Sequence, residues 1–184
     1  DQKDNILESG KVDCLWGCYT MTGREEKYNW AGPYMCSRHV IVVRKDSSIK
    51  KLSDLNGRIV AAQVGTKPET LFLNKSNHLP KIKSLVTFKT IDEVISALRK
   101  GYVDAIAAHE GVLRQYTKDE ITQYRFLSES IYSAKLGVAF SKKGDQQIAD
   151  KLTKVLRKMV ADGTVSRIVE KYSMNGIQAV KDLE

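Results

Sequence analysis

The chain has 184 residues, 42% of them hydrophobic and 28% charged, enough for one full domain or two small lobes with a shared connection, and the balance of a soluble globular protein rather than a disordered or coiled-coil one. No apolar run approaches the roughly 20 residues of a membrane-spanning helix, and Asp1 to Leu7 lacks the basic and apolar regions of a signal peptide. The net charge of +8 comes from basic residues spread along the whole chain with acids between them, which describes a solvated basic surface and not a nucleic-acid groove.

In chain order, Val12 to Cys18 reads as a strand running into a polar turn, Thr20 to Arg24. An arginine just past a strand end offers a planar fork to a carboxylate, with a threonine hydroxyl to supplement it; the competing reading pairs Arg24 with Glu25 or Glu26 at the surface. Three cysteines, Cys14, Cys18 and Cys36, contain no CxxC pair and read as small buried thiols, with a disulfide between two of them open in an oxidising compartment.

Val40 to Val43 and Arg58 to Val64 are β-branched runs, and Leu85, Val86 and Phe88 mark a third strand. After the second, Gly65-Thr66-Lys67-Pro68-Glu69 has capping-box spacing with proline in the first turn. A helix start there faces the carboxyl edge of the sheet and could receive an anionic group, or be an ordinary capped helix. Thr90 and Glu93 form a further capping box, and Ile91, Val94, Ile95 and Leu98 follow at helical spacing up to Lys100 and Gly101.

Val103 to Ala108 reads as a buried strand ending at His109-Glu110, with a helix starting near Glu110. A zinc-binding HExxH would need histidine where Leu113 stands, so Glu110 reads either as a carboxylate for a ligand ammonium or as a solvent-facing helix start. Strand candidates follow at Tyr124 to Leu127 and Leu136 to Phe140. A helix comes next with Ile148, Leu152, Val155, Leu156 and Met159 on one face, closed by Asp162 and Gly163. Thr164 is placed as the cap of the last helix, with Ile168, Val169 and Tyr172 turned inward. The alternation of strand and helix makes the class α/β. GxSxG, GxxxxGK[ST] and GxGxxG are all absent, and His39 and His78 have no catalytic partner visible in sequence, so no catalytic residue, cofactor or metal is expected.

The runs LESGKVDCLWGCYTMTGREEKYNWAGPYM, VIVVRKDSSIKKLSDLNGRIVAAQVGTKPET, ALRKGYVDAIAAHE, LGVAFSKK and MVADGTVSRIVEKY together resemble the family-3 extracellular solute-binding proteins of polar amino acid ABC transporters. The resemblance implies a two-lobed periplasmic-binding-protein type II fold. In it, residues 1–35 form part of lobe 1, residues 36–134 form lobe 2, and residues 135–184 return to pack on lobe 1. It also implies a first lobe incomplete at its N-terminus, beginning at a Leu-x-x-Gly-x-Val-Asp strand.

By the same resemblance the ligand residues are Thr20 and Arg24 on the carboxylate with Cys18 beside them, Gly65 and Thr66 from lobe 2, and His109, next to Glu110, where the family carries the acid that holds the amino group. The family's Thr-x-x-Arg is shortened here to Thr22-Gly23-Arg24, and its Phe-Ser-x-Pro-Tyr reads Trp30-Ala31-Gly32-Pro33-Tyr34. The implied function is extracytoplasmic, bacterial binding of an amino-acid-like solute for an ABC transporter permease. The alternatives are the sensor domain of a membrane-bound signalling protein, or a dehydratase-like enzyme with Glu110 as general acid. Nucleic acid is not an expected partner, and the incomplete lobe leaves room for a homodimer.

Overall fold

The computed structural model describes residues 2–17, 19–76, 78–172, 176–181 and 183. The chain forms two compact units, residues 38–133 and residues 1–37 with 134–184. Two long strands, β1 (Asn29–Arg44) and β5 (Tyr124–Phe140), carry the chain from one unit to the other.

The unit of residues 38–133 is built on a sheet with strand order β3-β2-β4-β1-β5, where β2 is Ile59–Gln63, β3 Ser84–Phe88 and β4 Ala105–His109. β2 pairs in parallel with both β3 and β4, while β1 runs antiparallel to β4 with Val43 opposite Ala105 and His39 opposite His109. Side chains alternate between faces along a strand, so Val40 and Val42 enter one core with Val94, Leu98 and Leu113, while Ile41 and Val43 enter the other with Leu55, Leu71 and Phe72. Burial on both faces explains why Val40 to Val43 reads as a continuous apolar run and not an alternating one.

Helix α2 (Lys67–Leu73) follows β2, α3 (Ile91–Arg99) follows β3, and α4 (Glu110–Thr117) follows β4 without a break. The α3 capping box forms as its spacing predicts: Thr90 Oγ1 accepts from the Glu93 N–H at 3.3 Å, and the Glu93 carboxylate accepts from the Thr90 N–H at 3.0 Å. Thr90→Ala is expected to cost about 1 kcal/mol, read as a lower urea midpoint at unchanged slope.

The other unit contains α1 (Gln2–Glu8), α5 (Gln146–Ala161), α6 (Thr164–Glu170), α7 (Gly176–Lys181) and the ends of β1 and β5. One small core joins Ala31, Val138, Ala149 and Leu156; a second joins Leu7, Tyr28 and Ala139 with Leu15, Tyr19 and Trp30; a third joins Val165, Val169 and Ala179.

Several sequence expectations change here. Val12 to Cys18 does not extend as a strand: among the described residues it pairs only through the single bridge Leu15 to Ala139, and Leu7 to Gly10, expected to open that strand region, instead ends helix α1. Tyr124 to Leu127 and Leu136 to Phe140 are two stretches of one continuous strand, β5, whose middle buries Ile131 and Ala134. On α5, Leu156 is buried and Leu152 and Met159 pack against the cores as expected, but Ile148 and Val155 are exposed and Ala149 takes an inward place. Gly163, at φ 76°, caps α6 in place of Thr164, whose N–H donates to Asp162 Oδ1 at 2.9 Å. Tyr172 and Ile168 point to solvent and Val165 takes the inward place with Val169.

Candidate functional site

Within the unit of residues 38–133, four elements bring a cluster of functional side chains together. The antiparallel register sets His39 on β1 opposite His109 at the end of β4, with the rings perpendicular and their centroids 5.5 Å apart. Tyr132 on β5 lies 5.7 Å from the His39 ring, and Lys67, the first residue of α2, holds its Nζ 4.7 Å above the Tyr132 ring. His109 Nδ1 accepts from the Gly111 N–H at 3.2 Å, which leaves the proton of the neutral imidazole on Nε2. His39 Nδ1 is buried with no hydrogen-bond partner among the described residues.

Burial disfavours the charged form of both rings. It pushes His39 down to about 4, with the neighbouring His109 and the Lys67 ammonium adding to the effect. His109 is also lowered by burial, while Glu110 pulls the other way. An unfolded chain titrates near 6.5 and so binds more protons than the folded one between that pH and about 4. Stability is therefore present above pH 6.5 and falls as the solution is acidified through this window. Thermal unfolding between pH 6.5 and 5 is expected to show that slope, and His39→Asn to flatten it.

The neighbouring polar groups are committed internally. Gly65 donates its N–H to Glu69 Oε2 at 2.6 Å, and Thr66 Oγ1 donates to the Gln63 carbonyl at 2.6 Å. Thr66 is the N-cap residue of α2, yet its hydroxyl does not cap, so the expected capping box is replaced by these two bonds. Glu110 is buried. Its Oε2 meets Arg38 Nη1 at 3.0 Å, and its Oε1 accepts from Arg114 Nε and Nη2 at 2.9 and 2.8 Å. Arg38 Nη2 donates onward to the Ser128 carbonyl at 2.7 Å. Of the two readings of Glu110, the solvent-facing helix start is thus corrected to a buried ion-pair centre, stabilised because two guanidiniums compensate its charge.

The second constellation lies in the unit of residues 1–37 and 134–184. The chain crosses Tyr19 to Met21 in a narrow pairing with β5, where the Met21 N–H donates to the Lys135 carbonyl at 2.8 Å and Thr20 bridges Leu136. Thr22 Oγ1 accepts from the Lys135 N–H at 3.1 Å, and Trp30 Nε1 donates to the Arg24 carbonyl at 3.0 Å, which fixes the turn at both ends.

The Arg24 guanidinium stands 5.1 Å over the Tyr19 ring and makes no ion pair among the described residues. The surface pairing with Glu25 or Glu26 does not form, since Glu25 Oε1 accepts from the Gly23 N–H at 3.1 Å instead. Arg24, Lys3, Lys27, Tyr19 and Tyr28 line a cavity of about 290 Å³. The carboxylate that meets two of its lining residues is already engaged: Asp4 pairs with Lys27 Nζ at 2.9 Å and accepts from the Tyr28 hydroxyl, bonds that hold its carboxyl below the usual range. Tyr28 in turn lies 2.9 Å from the Tyr19 hydroxyl.

Cys18 lies outside the described residues. Cys14 is half-buried, and desolvation raises its thiol above the ordinary value. The sequence reading missed His39, Lys67 and Tyr132, which strand register and helix placement bring to His109, and Lys3, Lys27, Tyr19 and Tyr28 around Arg24. Aromatics interleaved with cations from Tyr19 to Tyr28 were the visible hint for the second group. Among the described residues there is no group of three or more metal-ligating side chains, and no helix long and apolar enough to cross a membrane.

The chain is similar to known proteins over most of its length. It is 29% identical over 176 residues to the glutamate-binding protein GluB of Corynebacterium glutamicum, covering 91% of this chain and 58% of that protein. It is 28% identical over 177 residues to the histidine-binding periplasmic protein of Escherichia coli, covering 90% of this chain and 66% of the relative. The chain thus spans less than two thirds of the length of these relatives. Among solved structures, a polar amino acid ABC uptake transporter substrate binding protein from Streptococcus thermophilus superimposes with a TM-score of 0.79 at 21% identity, over 99% of this chain and 72% of that one. An ancestral cationic amino acid solute binding protein gives 0.73 at 28% identity, over 92% and 73%. These likenesses agree with the type II binding-protein fold that the family resemblance implies. The family model of the bacterial extracellular solute-binding proteins, family 3, matches residues 2–175, and the chain belongs to that family.

Proposed function

We propose that this chain binds a small amino-acid-like solute outside the cytoplasm and delivers it to the permease of an ABC transporter, with Arg24 receiving the solute carboxylate. The observation that carries this reading is the state of Arg24. Its guanidinium has no carboxylate partner among the described residues, is steadied over Tyr19 and borders a cavity lined by two further cations. A planar fork held in place by an aromatic face suits a carboxylate, because two parallel charge-assisted hydrogen bonds then form with little further ordering. Relatives named for binding glutamate, histidine and arginine differ in the side chain of the solute and share its amino-acid backbone, which supports a carboxylate as the common anchor.

The chain acts as a binder and not as an enzyme. Glu110, the carboxylate best placed for general acid work, has both oxygens occupied by Arg38 and Arg114. Mass spectrometry of the small molecule that copurifies with the protein, followed by calorimetry with an amino-acid panel, tests the proposal. Release of an unchanged amino acid is the expected result; failure of every amino acid to bind overturns it.

A further inference from the structure

We infer that the unit of residues 38–133 carries a second ligand site, for a phosphate group, in a cavity of about 360 Å³ lined by Arg44, Lys45, Asp46, Arg99, Gln123 and Tyr124. The cavity lies at the edge of the sheet where the parallel strands start. Val43, next to Arg44, is opposite Ala105, the first residue of β4, whereas His109 is the last. The Lys45 N–H donates to the Gln123 carbonyl at 2.7 Å, which sets the start of β5 beside the end of β1. A site here stands or falls independently of solute binding at Arg24.

The cations of this wall keep unused donors. Arg44 Nη1 donates to the Leu98 and Val103 carbonyls at 2.9 and 3.4 Å, which pins the guanidinium and leaves Nη2 without a partner among the described residues. Arg99 pairs through Nη2 with Glu120 at 3.0 Å, and its Nε donates to the Tyr124 hydroxyl at 3.5 Å, so Nη1 is left over. Lys45 is exposed and makes no ion pair among the described residues. The opposing charge is thin: Asp46, 85% exposed, stands 3.8 Å from Arg44 Nε, a solvated pair of little strength, and Glu120 is spent on Arg99. The wall is also held in place before a ligand arrives. Arg125 donates through Nη2 to the Lys45 carbonyl at 2.7 Å and through Nη1 to the Ser47 and Ile49 carbonyls at 2.8 and 3.1 Å, tying this segment to β5.

A phosphate group suits this set better than an amino acid does. Its oxygens accept from several donors at once, and Arg44, Arg99, the Lys45 ammonium and the Gln123 amide bring theirs from three segments of the chain. A ligand ammonium would meet three like charges and, on the cavity wall, only the solvated Asp46. The volume falls within the range of small-molecule sites.

Calorimetric titration of the full chain with inorganic phosphate, at about pH 7.5 and about 0.15 M salt, tests this. Saturable binding of one phosphate per chain is expected, with a Kd of about 1 mM or tighter. Lys45→Met and Arg99→Gln replace exposed residues, so both are expected to fold, checked by thermal unfolding, and each to weaken binding about tenfold, the size of one charge-assisted hydrogen bond. Lys154→Met, which removes the same charge from the exposed face of α5, and Arg24→Ala are expected to leave phosphate binding unchanged. Pelleting with phosphatidylglycerol vesicles separates two sources of the group. Retention that free phosphate competes away and Lys45→Met abolishes assigns the phosphate of a lipid headgroup; free phosphate bound without retention assigns a soluble phosphate ligand. Absence of saturable binding overturns the inference, and so does binding that Lys45→Met leaves intact or that Arg24→Ala or Lys154→Met removes.

Discussion

Replacing Glu110 with alanine is expected to lower the unfolding free energy by about 3–5 kcal/mol, the range for breaking a buried ion pair from one side. The loss follows from what remains. Arg38 keeps a guanidinium in the interior, 6% exposed, with the Ser128 carbonyl as a neutral acceptor and its counter-charge gone. Arg114, more exposed at 24%, can turn to solvent and contributes less. A double variant, Glu110→Leu with Arg38→Met, is expected to recover most of the loss, because an apolar pair of similar volume carries no desolvation cost. Urea unfolding of the two variants side by side checks this. Equal stability of Glu110→Ala and the parent chain would show that the pair is solvated.

The second large effect is expected at Arg24. Arg24→Ala should weaken solute binding by about 2–5 kcal/mol, roughly thirtyfold or more in Kd, because the solute carboxylate would be left without its bidentate partner. The same substitution should leave stability within about 1 kcal/mol, the worth of one exposed cation–π contact with Tyr19. Calorimetry paired with thermal unfolding separates the two. Unchanged affinity in a folded variant removes Arg24 from the site, and a loss of binding that tracks a loss of folding makes it structural.

These two residues show how differently a sequence exposes its chemistry. Arg24 was legible, since it stands in a short polar turn after an apolar stretch and its neighbours limit what it can do. Its supports were harder to see. Lys3 and Asp4 sit on a helix some twenty residues upstream and meet the turn through Lys27, Tyr19 and Tyr28. Glu110 was legible as a helix start at a strand end, but its burial was not, because its partner Arg38 is 72 residues away on a strand that pairs with β4. His39 is the sharpest case. It has no partner in sequence, and a shift of one residue in the β1 to β4 register would have pointed it to the other face, away from His109.

The fold was readable to a similar depth. The runs Val40 to Val43 and Arg58 to Val64 and the Thr90 capping box declare their structure through local rules, because β-branched residues and side-chain caps act within a few positions of themselves. Val12 to Cys18 has the composition of a strand, yet it finds a neighbour only at Leu15, and pairing is a property of two segments. The α5 face was read correctly at Leu152, Leu156 and Met159 and misjudged at Ile148 and Val155 for a related reason: these two are apolar, but the small Ala149 is the residue that fits against Ala31 and Val138. By itself the sequence determined the α/β class, the family, and the residue types able to hold a carboxylate. Only the tertiary structure decided which carboxylates were already neutralised and which cations were left with work to do, because ion pairing depends on distances of a few ångströms between segments that the chain's order does not bring together.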